Sequence, residues 1–427
     1  MKKIIVYIIS ILPLFSCVFD NSDDSNKVLK VYACNQNSGY ITVLDAIGMT
    51  PIDTVYSHLS NGGLLEDTNC SIYSSMDDCK QNNCMWMGDH CMEYGNEDPH
   101  HIVIDEDLDL WFNTVIMSGY VGMYSLTADT LISSIFVGDQ PAIMAINSSS
   151  NKLYISRMMP MVMDNGMSMG SQNSLIQEIS YNQTDMEKTN EFNIQSPSPH
   201  AITLSSDGRY IYTISNTADW IYKIDTENGS LDKVSMEGLS EIPSLETNRL
   251  KPIFCSLSED KYLFISCQGG QYLAGSENQF LKSRVQMWDT EDLELIDEYL
   301  FTVYSSAWHT VVNEESASVY ITLSGETGGS GLDAGVVSLG YTEEGLLLNW
   351  TSTNDLFSMP HGIILLSEGL LVSDRGNGNL YKLDIDTGTI IELINLDSRF
   401  VTGVAGMTYK VDLYETTTNS NQHHHHH

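Results

Sequence analysis

Apart from a terminal run at 423–427, the chain has seven histidines, and five of them stand in four similar contexts: Pro99-His100-His101, Pro199-His200, Trp308-His309 and Pro360-His361. Neutral imidazole is a common protein ligand for Cu, Zn, Ni and Fe. A second set of soft atoms lies in RMMPMVMDNGMSMG (157–170), where Met158, Met159, Met161, Met163, Met167 and Met169 mix with Pro, Asp, Asn, Ser and Gly. That stretch has neither the helical nor the strand period, so its thioethers have no apolar stripe to join. Thioether sulfur suits Cu(I) and carries no proton to lose, so histidine together with methionine points to copper, with zinc as the alternative ion. The competing reading is a Met-rich surface that adapts to a protein partner.

Of the eight cysteines, Cys70, Cys79, Cys84 and Cys91 fall within CSIYSSMDDCKQNNCMWMGDHC, which is polar and too short to own a core. In an oxidising compartment two disulfides would staple it, in any of three connectivities. The spacings lack the paired CxxC knuckle of a zinc site. Met85, Met87, His90 and Met92 add soft ligands to the same segment.

The compartment follows from the start of the chain. Lys2 and Lys3 precede the apolar run Ile4 to Phe15 and then Ser16-Cys17, the pattern of a secretory signal. Leu14-Phe15-Ser16-Cys17 resembles the bacterial lipobox. The resemblance implies a signal peptide over 1–16, lipidation at Cys17, an acidic tether over 17–27 and attachment to a membrane of the cell envelope. Val18 stands where an inner-membrane retention aspartate would, which favours the outer membrane, facing either the periplasm or the outside. With 56 acidic against 20 basic residues the formal charge is −36, which repels a phosphate backbone and argues against nucleic acid as a partner.

The elements that must hold the histidines recur along the chain. An apolar segment after proline or its equivalent appears as PHHIVID (99–105), PAIMAIN (141–147), PHAITLS (199–205), PIFCSLS (252–258), AWHTVVN (307–313), PHGIILL (360–366) and VTGVAGM (401–407). Six copies are followed by a turn and a second strand, as in KLYISR (152–157), and third and fourth strands follow, as in WIYKID (220–225) and LISSIFV (131–137). Four short strands per unit with Gly, Asn and Asp turns indicate propeller blades. The segments LKVYACN (29–35), YITVLDA (40–46) and IDTVYS (52–57) match the second, third and fourth strands that VTGVAGM lacks. The expected fold is all-β, a seven-bladed β-propeller closed by N- and C-terminal strands sharing one blade. It spans 28–414, with a cysteine-rich insertion at 58–99 and a His-rich tail at 415–427.

KVYACNQNSGYITVLDAIGMTPIDTV (30–55) resembles the repeat of YVTN-type seven-bladed propellers, which implies this fold and leaves function open. The antiparallel strand order puts the methionine loop, the 58–99 insertion and the starts of all first strands on one elaborated face. First strands are innermost, so His100, His101, His200, His309 and His361 are expected at one mouth of the central channel. A His-His pair with further histidines on seven blades also looks like the copper-site propeller of nitrous oxide reductases. That resemblance implies a metal on the axis. The chain departs from the family in having five histidines where it uses seven, and it lacks the paired cysteines of the cupredoxin domain, so reductase activity is not implied. Cys255 and Cys267, on adjacent strands of one blade, are expected to pair. Cys34 is then left over, as a core residue or a soft ligand.

Two functional readings compete. One is a copper-binding envelope lipoprotein; the other is a platform on which the elaborated face meets a protein or glycan partner. A third is a hydrolase or lactonase-like enzyme, with Asp374, Arg375 and Arg157 as polar groups beside the histidines. The loops GSENQ and GETGGSG lack the context of a phosphate cradle, and no serine elbow is present. The terminal histidines bind Zn, Cu or Ni whether native or a purification tag.

Overall fold

The computed structural model describes residues 27–57, 59, 75, 85–87, 90–92, 98–138, 140–158, 174–194, 198–236, 249–269, 281–325, 333–367, 369–396, 401–405 and 410–412. It is an all-β, seven-bladed propeller. Six blades take four consecutive antiparallel strands each and begin at Pro99, Pro141, Pro199, Pro252, Ala307 and Pro360. In the seventh sheet Val401–Ala405 pairs with Lys27–Asn35, which continues into Tyr40–Asp45 and Thr50–Tyr56. The first strands stand side by side around the axis, and the one at Val401 packs beside the one at Pro99.

Burial follows position in the blade. Second strands such as Leu110–Val115, Tyr262–Cys267, Ser318–Leu323 and Gly369–Asp374 are buried along their whole length, because both faces of the sheet lie against neighbouring blades. Outer strands such as Leu131–Phe136 and Ile390–Asn395 keep about half their side chains in water. The core is therefore a ring of clusters between blades. One joins Tyr212 and Ile221 to Leu263, Ile265 and Trp288; another joins Ile41, Val43 and Val55 to Trp111, Val115 and Tyr124. Each such fully buried aliphatic or aromatic side chain stabilises the fold by roughly 1.5–3 kcal/mol relative to exposure.

The junction between the blade of Tyr32 and the blade of Trp111 carries added polar contacts. Trp111 stacks on Tyr124 at 3.9 Å, and Tyr32 tilts against Trp111 at 4.9 Å. Asp129 lies beneath them, accepting from the Tyr32 hydroxyl at 2.8 Å, from Trp111 Nε1 at 3.2 Å and from Lys30 Nζ at 2.7 Å. Burial pushes the Asp129 carboxyl up, and Lys30 opposes that shift.

The sulfur groups need corrections. Cys255 and Cys267 are free, buried thiols. In the strand register Cys255 faces Ile265 and Cys267 faces Pro252, a diagonal arrangement with side chains too far apart for a disulfide's short Cβ separation. Both belong to one apolar cluster, and burial raises both thiols. Cys34 is likewise free and fully buried, in the cluster of Tyr32 and Trp111, which makes it a core residue. Cys70, Cys79 and Cys84 lie outside the described residues, as does Cys17. Of Cys91 only the backbone is described, in a small hairpin of Met85–Met87 with His90–Met92.

Candidate metal centre

Six first strands enter the fold in the same unusual way. In five, the residue just before the strand is left-handed without being glycine: Asp98 (φ 50°), Gln140 (52°), Ser198 (58°), Lys251 (51°) and Ser306 (47°). Residues in this region cost of order 1–3 kcal/mol when the surroundings must hold them there. What holds them is a backbone strap in which the carbonyl accepts from the residue after the second strand: Ile116 to Asp98 at 3.1 Å, Met158 to Gln140 at 2.9 Å, Asn216 to Ser198 at 3.0 Å. Immediately afterwards the pairing of first and second strands slips in all six blades, between Pro99 and His101, Pro199 and Ile202, Ala307 and Thr310, and Pro360 and Ile363 among them. A bulge re-aims the side chains it carries. Every candidate histidine lies in one.

A hydroxyl on the second strand fixes several of these bulges. Thr114 Oγ1 accepts from the His101 N–H at 3.1 Å and donates to Ala142 O of the next blade at 2.7 Å. Ser156 accepts from Ile143 N and donates to His200 O. Thr322 accepts from His309 N at 3.0 Å and donates to His361 O at 2.7 Å. Ser266 donates to Trp308 O, and Ser373 accepts from Gly362 N. The backbone of one histidine is thus tied to the blade that carries the next.

With the backbones so placed, four rings close a circuit across the axis. His100 and His200 have ring centres 5.7 Å apart, His200 and Trp308 6.2 Å, Trp308 and His361 4.4 Å, and His361 and His100 6.4 Å. His309 lies 4.7 Å from His361 and stacks on Phe254 at 4.1 Å. Trp308 and Phe254 were not singled out from the sequence. Trp308 occupies the second position of its strand, as His100, His200 and His361 do, and alignment of the repeats at their prolines would have found it.

His100, His200, His309 and His361 are all 5% exposed or less, so they form a buried plug. Burial is the main force on their charge, and it holds His100, His309 and His361 well below the ordinary histidine value, with neighbouring imidazoles adding to it. Burial also lowers His200, to about 4, against the hydrogen bond from its Nδ1 to Ile253 O at 2.8 Å. A carbonyl can only accept, so in the neutral ring Nδ1 carries the proton and Nε2 the free lone pair. Both nitrogens of His100, Nε2 of His309 and Nδ1 of His361 are buried without a hydrogen-bond partner. Such groups are rare in native proteins and mark strain, function or an ion.

His101 departs from the set. Its Nδ1 accepts from Met144 N at 3.3 Å, and it lines a separate cavity. Met158 also departs: it packs against the cluster of Ile143, Tyr154 and Ile202, a packing role in place of a ligand's. Met159, Met161, Met163, Met167 and Met169 lie outside the described residues. Asp374 accepts four backbone N–H groups, from Ser358, Met359, Gly376 and Asn377, and so shapes a turn. The charge of Arg375 acts on His100 and His361, and Asp98 beside it is raised by burial to about 6. Arg157 lies with its guanidinium over Gly138, whose φ of 96° and missing Cβ leave room for it.

Two imidazoles sharing one ion at about 2.0–2.1 Å place their ring centres roughly 5–6 Å apart. His100 and His200, at 5.7 Å, fall in that range, whereas His100 and His361 at 6.4 Å are too far apart and His309 and His361 at 4.7 Å are closer. Among the described residues, no group of three or more His, Cys, Asp or Glu is arranged to hold a metal ion as it stands.

No protein-family model matches the chain, and no curated protein matches it in sequence. Solved structures do match in shape. A putative 6-phosphogluconolactonase from Bacteroides fragilis is 13% identical, with a TM-score of 0.56 over 91% of this chain and 100% of that one. A functionally unknown protein from Desulfotomaculum acetoxidans is 11% identical, with a TM-score of 0.58 over 88% of this chain and 98% of that one. The propeller domain of Cps50 (Swd1) from Myceliophteria thermophila is 9% identical, with a TM-score of 0.53 over 76% and 95%. At such identities the likeness extends to the fold alone, and the chain is a β-propeller.

Proposed function

We propose that this protein is a cell-envelope lipoprotein, anchored in the outer membrane through Cys17, whose propeller binds copper at the axial imidazole cluster. The observation that carries the reading is the convergence of neutral His100, His200, His309 and His361 from four blades, with unpartnered ring nitrogens on His100, His309 and His361. Neutral imidazole is the liganding form, and the bond from His200 Nδ1 to Ile253 O leaves Nε2 as its donor atom, as orienting partners do in metal sites. Capture requires ring rotations that bring three or four nitrogens onto one ion. Copper is preferred over zinc because the chain also carries Met159, Met161, Met163, Met167 and Met169, whose thioethers suit Cu(I). The test is metal analysis of protein lacking residues 423–427, after exposure to Cu(I), Cu(II) and Zn(II). About one copper per chain is expected, lost in His100→Ala with His361→Ala and retained when the loop methionines become leucine. Absence of copper in the tail-less protein sinks the metal reading. Labelling with an alkynyl fatty acid, abolished by Cys17→Ser, tests the anchor; an unlabelled wild type removes it.

A further inference from the structure

The opposite end of the channel holds a second feature, separate from the imidazole plug. A cavity of about 680 Å³ is lined by the inner strands of the blades beginning at Pro199, Pro252 and Ala307, with Ile143, Met144 and His101 at its side. This is the size of pockets that hold small organic molecules. Its wall mixes the apolar residues Ile202, Leu204, Phe254, Leu257, Val311 and Val312 with the polar groups of Thr203, Ser256 and Thr310. All the apolar ones but Ile202 stay partly exposed, although they lie on innermost strands. Ser256 and Thr310 join hydroxyls at 2.8 Å across two blades, and His101, whose Nδ1 accepts from Met144, has Nε2 as its N–H. The rim is acidic, formed by Glu259, Asp260 and Glu314 with Ser206. Asp260 accepts from Ser206, and Glu314 accepts from the Glu259 N–H at 2.7 Å. Among the described residues neither Lys nor Arg forms a salt bridge with these three carboxylates. The nearest cations in sequence are engaged elsewhere, Lys261 by Glu343 at 2.7 Å and Arg209 by Asp225 at 3.0 Å.

We infer that this cavity is a binding site for a small organic cation, an amine or ammonium group attached to an apolar body. The apolar body enters the tube between Leu204, Leu257 and Val312, and the cationic head stays at the rim with Glu259 and Glu314. Neutral and anionic molecules of the same shape gain the burial and lose the attraction. The site shares Phe254, the ring stacked on His309, with the metal centre but none of its four imidazoles, so failure of one leaves the other standing.

Three probes with one skeleton separate the contributions: 3-phenylpropylammonium, 3-phenylpropanol and 3-phenylpropionate, titrated into the full chain by calorimetry. The ammonium is expected to bind most tightly and the carboxylate most weakly, with methyl resonances of Leu204, Leu257 and Val312 shifting on binding. The double change Glu259→Gln with Glu314→Gln keeps an acceptor for the turn. Two exposed charges worth up to about 1 kcal/mol each predict weaker ammonium binding by roughly five- to twentyfold, with alcohol binding unchanged. Ser256→Phe fills the tube and should abolish binding of all three probes. Carboxylate binding as tight as the ammonium's, an unaffected double variant, or shifts located away from these methyls would overturn the assignment.

Discussion

A buried neutral histidine is a liability to the fold that carries it once protons are abundant, and its effect has a definite sign with pH. In the metal-free protein His200 is held down to about 4, by burial against its bond to Ile253, whereas in the unfolded chain it titrates near 6.5. Between those values the unfolded chain binds the proton and the folded chain does not. Stability therefore falls as pH drops through this window, by about 3 kcal/mol for His200 alone over its full width. His100, His309 and His361 act in the same direction, and Arg375 adds to the resistance of His100 and His361 against a positive charge. Asp98, raised to about 6, works against them, as do the raised carboxyls of Asp129, Asp219 and Asp374. Urea unfolding at pH 7 and pH 5 should show the loss, and His200→Gln, which keeps a donor for Ile253 O, should reduce it. An identical pH slope in that variant would show that the ring is not excluded from protonation in the fold. The same burial moves proton competition for a bound ion to lower pH than an exposed imidazole would give.

At the scale of the strand, the hydroxyls that bridge blades have an energetic meaning that can be isolated. Thr322 is fully buried, accepts from His309 N and donates to His361 O. Thr322→Val keeps the shape and removes both bonds, leaving two buried backbone groups unpaired, at about 1–3 kcal/mol each if no water enters. Urea unfolding should show a loss of roughly 2–4 kcal/mol, and a loss under 0.5 kcal/mol would mean that the bridge is incidental. The strands themselves were legible. Prolines mark their starts, and segments such as PHHIVID and RVQMWD match Pro99–Asp105 and Arg284–Asp289 residue for residue. The histidine positions were legible for the same reason. The bridging hydroxyls at Thr114, Ser156, Ser266 and Thr322 were visible only as strand-forming residues, since their acceptors lie in the next blade, tens of residues away. The separation of His101 from His100 was not legible either, because neighbouring residues in a bulge take directions that the register decides. Nor was the fate of Cys255 and Cys267, which the hairpin register decides by setting Cys255 opposite Ile265 and Cys267 opposite Pro252.

At the scale of the whole ring, the junction of the blade of Tyr32 with the blade of Trp111 concentrates its polar contacts on one carboxylate. Asp129→Ala would leave Lys30, 6% exposed at its side chain, as an unpaired buried charge. Breaking a buried pair in this way costs about 3–5 kcal/mol, and calorimetric or urea unfolding should register it. A loss below 1 kcal/mol would show that water reaches Lys30 from outside. The pairing of Val401–Ala405 with Lys27–Asn35 also sets an order of events during synthesis. The strand Lys27–Asn35 is made among the first, yet its inner neighbour emerges only after some 370 further residues, which at 5–20 residues per second is roughly 20 to 75 s. Throughout that interval one edge of an otherwise complete sheet has free backbone donors and acceptors and can pair with another nascent chain. A ring that cannot lock before its last strand arrives acquires its final stability only when that strand has been made.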